Sequence, residues 1–323
     1  MILLDGRPER LWIEREGEDD GPSLGERHRA RVGSMSAGLG LARLELDGGL
    51  EAALSLPKAR LHQGASVEIE IVSERRADKP ALARFLGPAT GRPSRLDQGP
   101  SLESRLEAAA PDVGIVGGAA AREAADEAED AALQVRHELP GDIVVHIEPT
   151  RALTAVDIDW RSALGRSAAG LLRANQQALA DVARLLRLKR IGGAVVIDLI
   201  GFPRERDAIR AAARTAFEPD APGVVILPPN HLGLLQLAKP HREQPLFERL
   251  SAPDGRLSAR SVAQRLARSL EREGQADPGA RLLAECAPEV ARALGPLVQA
   301  MGPRFEVREA LGWDRLKTDI RSR

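Results

Sequence analysis

Two short runs, ALTAVDID at 152–159 and GGAVVIDLIG at 192–201, constrain the fold of this chain most strongly. Each run has the small and β-branched composition of a strand and delivers an acidic residue, Asp157 or Asp198. A long amphipathic segment joins them. If the two strands lie side by side in one sheet, both carboxylates point at a common spot. Folds build divalent-metal sites from carboxylates in this way.

The surrounding patterns predict a mixed α+β chain with several domains. Between 25 and 90, short alternating segments separated by glycine-containing turns predict a small closed barrel of OB-fold size. Between 139 and 248, strands and helices alternate around a mostly buried sheet. The predicted domains are an N-terminal hairpin packing on the core, the OB-like barrel, a linker with an acidic helix, a catalytic α/β domain and a small C-terminal α/β domain, at 1–24, 25–90, 91–138, 139–248 and 249–323.

Local signals predict the limits of several elements. LWIE at 11–14 is expected to be the second strand of the hairpin, 88–101 has linker composition, and GVVILP at 223–228 predicts a buried strand. Apolar residues at three- and four-residue steps predict a helix over 162–190. Asn175 lies on the apolar stripe of this helix. It is either a core residue with satisfied hydrogen bonds or a contact to the carboxylates or the substrate.

The charge of the chain is unevenly distributed, although the net charge is only -1. Residues 151–214 carry 12 Lys and Arg against 6 Asp and Glu, whereas 101–150 carry 3 against 11. A basic region around two carboxylates suits a polyanionic substrate, because phosphates must be drawn to a locally negative place. An ordinary solvated helix face is the alternative interpretation.

Cysteine content and hydropathy exclude several classes of protein. The single cysteine, Cys286, is expected to be a buried apolar side chain, since it cannot form an internal disulfide and no CxxC zinc motif exists. No apolar run approaches the roughly 20 residues that span a bilayer. The start of the chain lacks the order of a signal peptide, so we expect a cytoplasmic protein without membrane association. His146, alternating with Glu148, is interpreted as structural rather than as a base.

Three longer stretches, LPGDIVVHIEPTRALTAVDID, LLRLKRIGGAVVIDLIGFP and HLGLLQLAKPHR, together resemble the catalytic core of the ribonuclease E/G family. These are bacterial endoribonucleases that mature ribosomal RNA and initiate messenger decay. The resemblance implies a Mg²⁺ ion, with Mn²⁺ as an alternative and no zinc, held by Asp157 and Asp198. Asp159 stands where the family has an asparagine that orients the carboxylate, and it is a candidate catalytic residue and third ligand. The implied reaction is hydrolysis of single-stranded RNA that leaves 5′-phosphate and 3′-hydroxyl ends.

Several polar residues are candidates for binding the RNA. Lys79 matches a family lysine that contacts RNA, and the other candidates are the cations and the amide near the two strands. The full set is Lys79, Arg161, Arg187, Lys189, Lys239 and Asn175.

The chain also departs from the family pattern. The paired-cysteine zinc link that joins family protomers is missing, and the region before the catalytic strands is too short for the family's pocket for an RNA 5′-monophosphate. Gly201 replaces a second acidic residue, and Leu44 and Ser55 stand where we place the family's base-stacking aromatics. Base stacking is worth roughly 1–3 kcal/mol per base, so single-strand binding is expected to be weaker.

Two functions therefore remain open. The first is a compact metal-dependent endoribonuclease acting in rRNA maturation or mRNA decay, which the two retained aspartates favour. The second is a catalytically degraded RNA-binding protein of the same family, which the lost aromatics and zinc link favour. A homodimer through the C-terminal domain, not through zinc, is a hypothesis in either case.

Overall fold

A computed structural model describes residues 1–15, 21–56, 61–76, 79–111, 113–162, 167–201 and 204–322. Two compact units are distinguished, Met1–Val113 with Ala128–Leu246, and Gly114–Glu127 with Phe247–Arg323. The fold is mixed α+β and contains a closed five-stranded barrel, as the sequence predicted. No helix in the described ranges is long and apolar enough to cross a membrane.

The chain begins with a tight hairpin of β1 (Ile2–Leu4) and β2 (Arg7–Arg10). Asp5 and Gly6 both have positive φ, 49° and 75°, which is the backbone of a two-residue hairpin turn. This turn places the second strand directly after Gly6. The predicted second strand at 11–14 is therefore wrong, because LWIE follows the hairpin as irregular chain.

The barrel is formed where β3 pairs with both β4 and β6, which closes the ring β3-β4-β5-β7-β6. Its strands alternate between buried and exposed side chains, and the buried set, including Leu54 and Ile69, fills the interior. A further strand, β8, pairs with the first residues of β3, so the predicted linker over 88–101 contains a strand. The sequence did not predict this strand, because proline and glycine lie close to its four residues. The strands are β3 (Arg27–Ser36), β4 (Leu41–Glu45), β5 (Glu51–Ser55), β6 (Ser66–Ser73), β7 (Ala81–Pro88) and β8 (Ser94–Asp97).

A six-stranded sheet in the order β13-β14-β12-β11-β10-β9 follows the barrel. The pair β11 and β12 is parallel and the neighbouring pairs are antiparallel. The elements are α1 (Leu102–Ala109), α2 (Gly118–Leu133), β9 (Arg136–Leu139), β10 (Ile143–Pro149), β11 (Thr154–Trp160), α3 (Ala168–Leu188), β12 (Gly193–Asp198), α4 (Arg206–Ala216), a 3₁₀ turn (Glu218–Asp220), β13 (Val225–Ile226) and β14 (Leu234–Lys239).

Two of these elements differ from the sequence prediction. β13 is a two-residue edge strand with Val225 exposed, rather than a buried strand over 223–228. Helix α3 begins after Ser167, whose hydroxyl caps it by accepting from the Gly170 N–H at 3.2 Å. The predicted first turn at 163–166 lies outside the described residues.

Helix α3 packs against one face of the sheet at β10 and β11, and on the opposite, open face the alternate side chains of β11 and β12 are partly or largely exposed. In β11, Val156 and Ile158 are buried, whereas the alternating Ala155, Asp157 and Asp159 are exposed. This alternation is typical of a sheet with one packed and one solvated face. The two aspartates of β11 therefore belong to the open face.

The N-terminal hairpin is tied to α3 by charged side chains. Arg7 pairs with the buried carboxylate of Asp181, and the Arg184 guanidinium donates to the Pro8 carbonyl at 2.7 Å. Further along the helix, Arg187 pairs with Glu9. The hairpin is thus anchored by polar contacts along one side of α3.

The second unit has its own core around a three-stranded sheet in the order β16-β15-β17. Cys286 ends the central strand and is fully buried, as predicted, and burial raises the pKa of its thiol to about 11. The elements are α5 (Leu246–Leu250), α6 (Ala259–Ala276), β15 (Leu282–Cys286), α7 (Pro288–Met301), β16 (Phe305–Glu309) and β17 (Thr318–Ser322).

Candidate active site

The register of the central sheet brings the two predicted aspartates together. Asp157 of β11 is the direct partner of Asp198 of β12, and both belong to the open face. Neighbouring strands lie about 4.8 Å apart, so the two side chains leave the sheet as adjacent groups. The predicted juxtaposition is confirmed. A row of side chains crosses five strands at this level, namely Arg136, His146, Asp157, Asp198 and Leu234.

Asp157 lies in a negative environment. Partial burial and the neighbouring carboxylate of Asp198 raise its pKa, and Asp159 and Glu148 add smaller effects in the same direction. His146 acts in the opposite direction. The Asp157 side chain is still 60% exposed, so solvent screens these effects. A carboxylate whose charge is disfavoured by like charges, in an open cleft, has the electrostatics of a cation site.

The donor set fits a magnesium ion. Mg²⁺ in proteins is usually held by one or two carboxylates, with water and substrate phosphate completing its ligands. Among the residues that the structure describes, no group of three or more His, Cys, Asp and Glu side chains is arranged to hold a metal. The structure therefore gives no support to Asp159 as a third ligand, although it lies on the same face two residues beyond Asp157.

The raised pKa of Asp157 carries a prediction about stability. Because its folded-state pKa lies above its usual value, the stabilising contribution is present at low pH and is lost as pH rises through the folded pKa. We therefore expect Asp157→Asn to raise the melting temperature of the metal-free protein at pH 7. The gain should shrink at pH 4. Thermal melts at the two pH values, with EDTA, check this, and a variant less stable at pH 7 contradicts it.

His146 is a neighbour of the pair that sequence analysis assigned to a structural role. Its Nδ1 lies 3.7 Å from the Asp157 Oδ2 and, within the described part of the chain, has no hydrogen-bond partner. The tight turn at Thr150 and Leu153 sets the register that places it there, because the Thr150 N–H donates to the Leu153 carbonyl at 2.9 Å. Recognising this turn in the sequence could have predicted that His146 lies opposite Asp157.

Asn175 is a core residue whose amide is fully used. It is completely buried, its Nδ2 donates to the Leu171 and Ile200 carbonyls at 3.1 Å, and its Oδ1 accepts from the Ile200 N–H at 2.9 Å. Of the two alternatives from the sequence, the structure favours the satisfied core residue. Its hydrogen bonds fix the backbone of Ile200, two residues after Asp198. We therefore revise the predicted role of Asn175 from an RNA contact to a positioning residue.

Three of the predicted RNA-binding cations have partners within the chain; Arg187 and Lys189 are buried, and Lys239 is mostly buried. Lys189 donates to the Ala132 carbonyl at 3.0 Å, and burial lowers its pKa to about 8. Arg187 and Lys239 both pair with Asp220, at 2.7 and 2.9 Å. Cations in these environments do not present free charge to RNA, so we revise their role to a structural one.

The remaining two predicted cations are exposed. Arg161 is 54% exposed and donates to Glu138 at 3.2 Å, close to the end of β11. Lys79 lies in the β6–β7 connection, where the Arg76 N–H donates to its carbonyl at 3.0 Å. Burial lowers the pKa of His241 to about 4, and Arg76, Lys79 and Lys239 lower it further. Lys79 is therefore close to His241, which follows the end of β14 that is remote from Asp198. Arg161 is therefore the predicted cation nearest the aspartates.

Two clefts flank the aspartate pair. One, of about 370 Å³, is lined by Asp159, Trp160 and the 199–201 loop, and the other, of about 560 Å³, by His146, Glu148 and the open face. Asp157 and Asp198 line both. The Trp160 indole donates to the Gly141 carbonyl at 2.8 Å. This aromatic was not predicted from the sequence, although it ends the strand that carries Asp157.

The barrel positions compared with the family's stacking aromatics differ from each other. Leu44 is completely buried in the barrel core, so its side chain does not face a ligand. Ser55 is exposed at the end of β5.

These features define a mixed α/β protein with a paired-carboxylate site on the open face of a sheet. The Ribonuclease E/G family model matches residues 117–242, which contain this site, so the resemblance is confirmed over that segment. Similar proteins include Ribonuclease E of Synechocystis sp., 32% identical over 126 residues, or 38% of this chain and 19% of that protein. Ribonuclease E of Nostoc sp. is 33% identical over a segment that covers 36% of this chain and 18% of that protein. Ribonuclease E of Escherichia coli is 32% identical over a segment that covers 34% of this chain and 11% of that protein. The matched part thus spans about a fifth or less of these relatives.

Proposed function

We propose that the protein is a metal-dependent endoribonuclease that hydrolyses single-stranded RNA. The observation that carries the proposal is the register pairing of Asp157 with Asp198 on an open sheet face, inside the segment that matches the Ribonuclease E/G family. The relatives that share this segment are named Ribonuclease E, which supports RNA as the substrate.

Asp157 and Asp198 are the residues that would hold Mg²⁺, or Mn²⁺ in its place. A bound divalent ion supplies a Lewis acid for the scissile phosphate and lowers the pKa of water. The chain contributes two adjacent carboxylates. The cations Arg136 and Arg161 on the same side of the sheet do not compete with the metal for these carboxylates, because both pair with Glu138. His146, beside Asp157, is placed to accept or donate a proton in the cleft.

The two clefts suit an extended strand that passes over the aspartates. A phosphate above Asp157 and Asp198 would have nucleotides in a cleft on each side, which is the arrangement that internal cleavage requires. Two uncharged side chains, Ala155 and Val196, are register partners in the wider cleft, and Glu148 lies beside Ala155. Ala155 and Val196 leave room for the sugar-phosphate backbone.

Trp160 is expected to stack on a base of the bound RNA. Because base–aromatic stacking is worth about 1–3 kcal/mol, Trp160→Ala should weaken RNA binding about 5- to 150-fold. Fluorescence anisotropy with a labelled single-stranded RNA measures this. Trp313→Ala, which removes an aromatic of the second unit, is the matched control and should bind as the parent does. Equal affinities for all three proteins would remove Trp160 from the proposed interface.

The chemistry of the products tests the proposed reaction. Hydrolysis with a metal-activated water is expected to leave 5′-phosphate and 3′-hydroxyl ends, and these can be identified by ligation and by phosphatase sensitivity. Products with 2′,3′-cyclic phosphate ends would contradict the proposal, because they arise from attack by the RNA's own 2′-hydroxyl without hydrolysis by water.

A catalytically degraded RNA-binding protein is the second candidate function. It is favoured by Ser55, an exposed residue at a position where we place one of the family's base-stacking aromatics. The two functions differ in metal dependence, since the binding protein shifts RNA on a gel equally well in EDTA. RNA maturation or decay in the cytoplasm, and a homodimer formed without zinc, are further proposals. Light scattering that showed a monomer at high concentration would contradict the dimer.

A further inference from the structure

A small cavity of about 150 Å³ lies at the end of the central sheet remote from the aspartate pair. Lys239 lines this cavity. In the sheet it is the register partner of Gly193, which lies at the opposite end of β12 from Asp198. The walls come from β2, the end of α3, the 3₁₀ turn and the chain after β14. Five cations, Arg10, Arg187, Arg190, Lys239 and Arg242, line the cavity with only two acids, Asp220 and Glu243.

The acidic groups are already shared among several donors. Asp220 accepts from both Arg187 and Lys239, at 2.7 and 2.9 Å. Glu243 pairs with Arg105 and accepts from the Trp12 indole at 2.7 Å. Each carboxylate therefore already compensates more than one positive or polar group within the chain.

Arg10 and Arg242 are the cations without a partner here. Neither makes a side-chain hydrogen bond or ion pair with another described residue, although both line the cavity. Arg190 is held nearby, because its Nε donates to the Leu11 carbonyl at 2.9 Å and lies 4.0 Å from Glu243. The pKa of Lys239 is lowered mainly by burial, and Arg187 and Arg10 lower it further by repulsion.

Arg242 is exposed and Arg10 is half-buried, so both guanidinium groups are accessible to an anion that enters the cavity from solvent. Guanidinium groups match the oxygens of a phosphate by paired hydrogen bonds, and two arginines here have donors to offer. We propose that this cavity binds a phosphate group, at a site separate from the proposed RNA-cleaving site. Its small volume admits the phosphate of inorganic phosphate or of a nucleotide, while a nucleoside would remain outside.

The test measures phosphate binding by calorimetry and by thermal melting in metal-free buffer. We expect inorganic phosphate, at about 100 times its dissociation constant, to raise the melting temperature by about 5 °C or more over chloride of equal ionic strength. Arg10→Gln/Arg242→Gln should lose at least tenfold in phosphate affinity. It should also melt no lower than the parent without phosphate, because no internal ion pair is removed.

An Arg31→Gln/Arg92→Gln variant, called the barrel variant, is the matched control, since it removes the same charge from exposed positions on β3 and in the β7–β8 connection. It should bind phosphate as the parent does. AMP and adenosine distinguish the sources of the phosphate: AMP binding tighter than inorganic phosphate, with adenosine inactive, indicates a nucleotide. The proposal is overturned if phosphate stabilises no more than chloride, or if the cavity variant and the barrel variant lose affinity equally. Neither result depends on RNA cleavage.

Discussion

Asp198→Asn is expected to lower the rate of RNA cleavage about 1000-fold while leaving the protein folded. Metal-assisted stabilisation of a phosphate transition state is worth several kcal/mol, and about 4 kcal/mol corresponds to three factors of ten. Asp198 is exposed at the end of β12, next to Asp157, so its replacement by an isosteric amide removes charge without creating a cavity. The loss should appear in kcat, because the pair acts on the reacting phosphate.

The design includes Asp157→Asn and the double variant. If both carboxylates hold one ion, each single change removes most of the activity and the double change adds little, since residues that act as a unit are not additive. Asp207→Asn, an exposed aspartate in the first turn of α4, is the control and should keep full activity. Independent, additive losses would contradict a shared ion. Gel shifts in EDTA show whether RNA binding is retained.

Asn175→Ala is expected to reduce the free energy of unfolding by about 2–4 kcal/mol. The change leaves the Ile200 N–H and carbonyl without their partner in a buried place, and each unsatisfied group costs about 1–3 kcal/mol. The 199–201 loop follows Asp198 directly, so metal-dependent cleavage should fall as well. Denaturant unfolding measures the first effect.

Gln177→Ala provides the comparison on the same helix. Gln177 is exposed and makes one hydrogen bond of 3.2 Å to the Pro140 carbonyl, so its loss should cost no more than about 0.5 kcal/mol. If the two variants unfold alike, Asn175 does not hold the loop. Stability retained with cleavage lost would contradict the structural role of Asn175.

Strong alternation made much of the fold predictable. The barrel strands and the β11-α3-β12 unit follow from periods of two and of three to four residues, which depend on burial alone. The elements that were predicted wrongly depend on local backbone conformation and on strand length. Positive φ at Asp5 and Gly6 moved the second hairpin strand forward, and β8 and β13 are edge strands too short to show a pattern.

The site was predictable only in part. Asp157 and Asp198 could be found because each ends a run with a clear strand pattern. His146 and Trp160 depend on strand register and on how β11 ends, which composition does not reveal. Arg187 was misplaced because long basic side chains at the end of a helix pair with distant acids such as Asp220, whose position only the tertiary fold sets.

Cleavage of end-labelled single-stranded RNA, with Mg²⁺ or with EDTA, tests the central claim most directly. The account predicts internal fragments that appear only with the divalent ion and disappear in the Asp157→Asn/Asp198→Asn variant. RNA that stays intact with the ion but still shifts on a gel would contradict the nuclease and indicate an RNA-binding protein.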